Sequence, residues 1–111
     1  MVASTKKRKG YVYVTRRLSQ PDIYKIGFTA DKPSVRIYNS YRMYGKDEGW
    51  YPVYVVYCSV PFNTEQRVHK ELSKYRVSSK NELFDIDINT IKNSILRNAP
   101  TIFYEIVRII A

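Results

Sequence analysis

A chain of 111 residues fits one domain, and folding at this size buries ~65% of the unfolded chain's surface, so it can fold without staples. The single cysteine, Cys58, excludes an internal disulfide, and no Cys/His set has zinc spacing. A formal charge of +9 and a pI near 9.7 point to a polyanionic partner, nucleic acid first. No run approaches the ~18 apolar residues of a membrane helix and the N-terminus lacks a signal-peptide core, so the expectation is an intracellular protein, in cytoplasm or nucleus, with no membrane partner.

In chain order, residues Met1 to Lys9 carry Lys6, Lys7, Arg8 and Lys9 with almost no apolar anchor. They read as a flexible basic arm, either a phosphate contact, a nuclear address or a solvated tail. The remainder, 10–111, reads as a single domain. Strand patterns cover Tyr11 to Arg16 and Ile23 to Phe28, separated by the polar stretch Ser19-Gln20-Pro21-Asp22. Gly27 in the second strand marks a close backbone approach or a bulge. A helix is expected from Pro33, with Asp31 the better cap, to Gly45.

Tyr51 to Val60 reads as a buried central strand containing Cys58 as a core residue, with Pro61 as its stop. Asn63 or Thr64 is the expected cap of a helix running to Arg76. A loop at 78–80 and a short strand from Asn81 to Ile86 follow. Ile88 to Asn98 reads as a helix with Ile88, Ile91, Ile95 and Leu96 as candidates for its buried face. The tail Ile102 to Ile110 fits strand or helix, and its β-branched content favours strand. The expected class is α+β: a small mixed β-sheet, built from the N-terminal hairpin and the central strand, flanked by about three helices.

Two helical positions bear on chemistry. Glu65 lies three residues before Val68 and seven before Leu72, on the margin of an apolar stripe, and His69 lies one turn further along the same edge. A carboxylate there needs a partner: a metal ion, an arginine or the helix N-terminus. The plainer reading is an acid that favours the helix dipole. Arg36, beside Ile37 and Tyr38, is either a phosphate fork or an exposed helix arginine. The 11 tyrosines supply flat faces for stacking, or simply fill half-wet strand positions.

The ordered set of Tyr13, then Lys25-Ile26-Gly27, Arg36, Glu65 and Asn81 resembles the GIY-YIG endonuclease superfamily over roughly residues 10–84. The combination of Tyr24-Lys25-Ile26-Gly27, Glu65 with His69, Arg76 and Asn81-Glu82-Leu83-Phe84 resembles the phage and large-DNA-virus branch of that superfamily. Lys25 departs from the family's second tyrosine, and Ser40 with Tyr41 stands where many members have His or Tyr. The resemblance implies a metal-dependent endonuclease hydrolysing phosphodiesters, with Mg²⁺ or Mn²⁺ on Glu65. In it Arg36 would neutralise charge on phosphorus, Tyr13 would position or deprotonate water beside Lys25, and Asn81 and His69 would orient groups or move protons. Arg16, Arg17, Lys32, Arg42 and Lys46 are candidate nucleic-acid contacts, DNA first. With no appended recognition module visible, selectivity would come from the domain, its arm, a homodimer or a partner protein. The alternatives are a catalytically inactive DNA- or RNA-binding module on the same scaffold, and a protein-interaction subunit.

Overall fold

The computed structural model describes residues 8–17, 19–31, 50–78 and 81–107. Five strands, β1 (Gly10–Arg17), β2 (Gln20–Thr29), β3 (Trp50–Cys58), β4 (Leu83–Phe84) and β5 (Ile102–Val107), form one sheet in the order β4-β2-β1-β3-β5. Helix α1 (Pro61–Glu71) and helix α2 (Ile88–Asn98) accompany it, with a 3-10 turn at Ser73–Tyr75. The α+β class is as expected. Every pairing among the described strands is antiparallel, so this sheet carries no parallel component. The expected helix from Pro33 to Gly45 and the arm's first seven residues lie outside the described residues.

Alternation along β1 sends Val12 and Val14 to one face and Tyr11, Tyr13 and Thr15 to the other. The first face, completed by Ile26 of β2 and Tyr54, Val56 and Cys58 of β3, is covered by Val68 and Leu72 of α1 and Ile91 and Ile95 of α2. Phe84 of β4 closes this core with no exposed surface. Each such side chain contributes about 1.5–3 kcal/mol through burial. Cys58 is fully buried as a free thiol, and burial raises its pKa.

Local rules explain where the elements depart from expectation. The polar stretch between the first two strands is mostly strand, because Arg17 pairs with Gln20 and β2 starts there. Pro61 starts α1 rather than merely ending β3. It occupies the first helical turn, where a missing N–H costs nothing, and Val60 is the cap residue. Thr64 does not cap: its hydroxyl donates back to the Val60 carbonyl at 2.9 Å. Helix α1 ends five residues before Arg76, which is extended and bridges to Phe84. Helix α2 matches its expected span, capped by Asp87, whose carboxylate accepts from the Thr90 amide at 3.0 Å. Leu96 is 42% exposed, being 100° around the helix from buried Ile95.

Candidate active site at the open edge of β2

Strand β4 pairs with β2 at Tyr24 and Lys25. Beyond that pairing the β2 edge is satisfied by other groups. The Ile26 amide donates to the Glu82 carbonyl at 3.0 Å, and His69 Nε2 lies 2.9 Å from the Ile26 carbonyl. A carbonyl only accepts, so Nε2 carries the proton and donates. That bond fixes the neutral tautomer with Nδ1 as the basic nitrogen. Burial depresses the His69 pKa, with Arg76 adding to the effect and the Ile26 bond and Glu82 opposing it. The ring packs on Phe84 with centroids 5.0 Å apart.

Glu65, one turn before His69 on α1, is 2% exposed. Its Oε1 accepts from Gln66 Nε2 at 2.7 Å and lies 3.9 Å from His69 Nδ1. Burial, then repulsion from Glu82, pushes the Glu65 pKa up to about 7, against smaller opposing effects of Gln66 and Arg76. Arg76 Nε donates to the Asn81 carbonyl at 2.5 Å, and its guanidinium stands 5.9 Å from the Phe84 ring centre. The Asn81 side chain accepts from the Leu83 amide at 3.1 Å, so it shapes the turn that delivers Glu82. Glu65, His69, Arg76 and Glu82, with Gln66, Lys70 and Ser73, line an open cavity of about 330 Å³.

Tyr13 and Lys25 approach the same stretch of β2 from the face away from α1. Tyr13 is 2% exposed and registers opposite Gly27. A Cβ at Gly27 would fall 2.5 Å from the Tyr13 hydroxyl, so the phenol occupies the space that glycine leaves. Lys25 pairs with Thr15, on the same face and one pair along. His69 meets Ile26 from the edge of β2, with Glu65 one turn before it on α1. Arg16 and Arg17 sit at the far end of the hairpin, where the Arg17 guanidinium stacks 4.9 Å from the Trp50 ring centre. Arg36, Lys32, Arg42 and Lys46 lie outside the described residues.

Arg76 and Glu82, like the cavity residues Gln66, Lys70 and Ser73, were not among the expected site residues. Their only sequence signal was their place in the motif strings, Arg76 after His69 and Glu82 before Leu83-Phe84. No group of three His, Cys, Asp or Glu side chains poised to hold a metal occurs among the described residues. No described helix is long and apolar enough to cross a membrane.

Fold and pocket together define a small, basic α+β domain with an acid–imidazole–guanidinium cluster at a sheet edge. The family model of the T5orf172 domain matches residues 10–99, and the chain belongs to that family. Neither a curated protein nor a solved structure matches. The assignment to the GIY-YIG superfamily and its viral branch is thereby corrected: the matching model is that of a different family. The motifs that carried it are single residues or strings of at most five, and Tyr-x-Ile-Gly alternation suits any half-buried hairpin strand. T5orf172 domains are nuclease-like, DNA-binding domains, so the chain's function is nucleic-acid-related.

Proposed function

We propose that this chain is a metal-dependent nuclease that hydrolyses phosphodiester bonds at the Glu65–His69–Arg76–Glu82 pocket. The observation that carries the reading is a buried carboxylate, Glu65, 3.9 Å from a tautomer-locked imidazole in a cavity that Arg76 and Glu82 also line.

The donor set fits a hard divalent cation. Glu65 and Glu82 repel one another, and Mg²⁺ or Mn²⁺ is commonly held by one or two carboxylates plus water and substrate phosphate. A cation there would supply charge stabilisation at the leaving oxygen. His69 Nδ1 is the basic nitrogen available to take a proton from water, and the Ile26 carbonyl stabilises the imidazolium that results. Arg76, anchored through Nε, offers a fixed planar fork to a phosphate. Tyr13 on β1 and Lys25 on β2 lie on the other face of the sheet and are given no part in the step at this pocket.

Plasmid nicking with Mg²⁺ or Mn²⁺, with and without chelator, tests the reading. Chelation is expected to stop cleavage, and His69→Gln to slow it by about 10²–10⁴-fold. DNA or RNA binding without cleavage under any divalent ion would instead identify a catalytically inactive binding module.

A further inference from the structure

On the sheet face away from the helices, Tyr11, Tyr57 and Tyr104 form a row across three adjacent strands, since Tyr11 pairs with Tyr57 and Tyr57 with Tyr104. Their ring centroids are 4.8 and 5.2 Å apart. Alternation alone would turn Phe103 to the opposite face. The β3–β5 ladder shifts between Tyr57 and Cys58, so that Cys58 pairs with Ile102 and Phe103 is an extra residue. The bulge places Phe103 beside the same ring, 5.1 Å from Tyr57. The Tyr104 hydroxyl donates to that of Tyr11 at 3.4 Å. Phe103 and Tyr104 remain 46% exposed, and Lys9 Nζ stands 5.4 Å from the Phe103 ring centre. None of these groups belongs to the cavity at the β2 edge.

We infer that this aromatic row is a stacking platform for the unpaired bases of a single-stranded nucleic acid. Contiguous rings, two exposed and two half-buried, with a cation at the rim match the combination of π-faces and positive charge that holds single strands. The five groups, Lys9 and the four rings, carry no acid. A net charge of +9 favours a polyanion on this face and opposes stacking of a second, equally charged copy. Tyr11 lies two residues from Tyr13 on the same face of β1, roughly 6.6 Å along the strand. The inference rests on the chain acting on nucleic acid, and is independent of whether it cleaves.

The test compares fluorescence anisotropy of labelled oligothymidine, a duplex and an abasic strand of equal length, at one fixed salt concentration. The double variant Phe103→Ala/Tyr104→Ala is expected to lose about tenfold or more in affinity for oligothymidine. Its affinity for the duplex and the abasic strand should match wild type. Both residues are exposed, and circular dichroism checks that the fold is kept. Phe103→Tyr/Tyr104→Phe, which keeps both rings, should bind like wild type. Undiminished oligothymidine binding by the alanine variant overturns the platform, as does an equal loss on all three ligands. A wild-type dimer that the alanine variant converts to monomer, with strand affinity unchanged, would make the face a contact between copies. Wild type binding no nucleic acid would overturn the platform and the proposed function together. Ring-dependent strand binding without cleavage would leave the platform standing and remove the nuclease.

Discussion

Glu65→Gln is expected to lower metal-dependent cleavage by on the order of a hundredfold or more while making the protein more stable above pH 7. The two effects have one cause. The Glu65 pKa is pushed up from the ordinary 4.5 to about 7, so between those values the native state keeps a proton that the unfolded chain has released. Stability therefore falls as pH rises through that window and then stays level. The penalty at pH 8 is on the order of 3 kcal/mol. Glutamine has nearly the same shape, still accepts from Gln66, and has no charge to desolvate. Its advantage should be absent below pH 4.5 and complete above pH 7.

His69 works in the opposite sense. Its depressed pKa means that below about 6.5 the unfolded chain binds a proton that the native ring refuses, so stability falls as pH falls. In wild type the two slopes oppose each other just below pH 6.5, and in Glu65→Gln the histidine slope stands alone. Denaturant melts from pH 4 to 8 check this. A variant less stable than wild type at pH 8 would show that Glu65 is a well-neutralised structural acid, and the catalytic reading of its pKa would fail with it.

Gly27→Ala is the second large effect, with an expected cost of about 1–3 kcal/mol from overpacking. The added Cβ would lie 2.5 Å from the Tyr13 hydroxyl and 2.6 Å from the carbon that bears it. Tyr13 is 2% exposed in a central strand, so its ring cannot swing clear without disturbing its neighbours. If the clash is the cause, Tyr13→Ala should relieve it. In a double-mutant cycle, Gly27→Ala should cost far less in the Tyr13→Ala background. Equal cost in both backgrounds would move the effect to the backbone of β2.

Much of the fold was legible because its elements follow local periodicity. The alternation of Tyr11 to Arg16, the apolar run around Cys58 and the spacing of Ile88, Ile91 and Ile95 each depend on residues within one turn or one strand. Errors arose where a residue had two permitted roles. Pro61 can end a strand or begin a helix, and Thr64 can cap or bond backward. The choice was made by how α1 docks its Val68–Leu72 stripe on β1 and β2. The motif strings misled on family because short strand motifs encode burial as readily as descent.

The site divides in the same way. That Glu65 and His69 share a helix edge beside a buried stripe follows from helical spacing alone, and the sequence by itself settled it, together with the basic charge, the α+β class and the buried thiol. Only the tertiary structure decided that Glu82 and Arg76 face that edge, that the Ile26 carbonyl sets the histidine tautomer, and that a bulge aligns Phe103 with Tyr57. Those relations join residues between 7 and 46 positions apart along the chain. Local propensity carries no information about which distant groups a sheet edge will gather, whereas packing of α1 and β4 against β2 leaves them little choice.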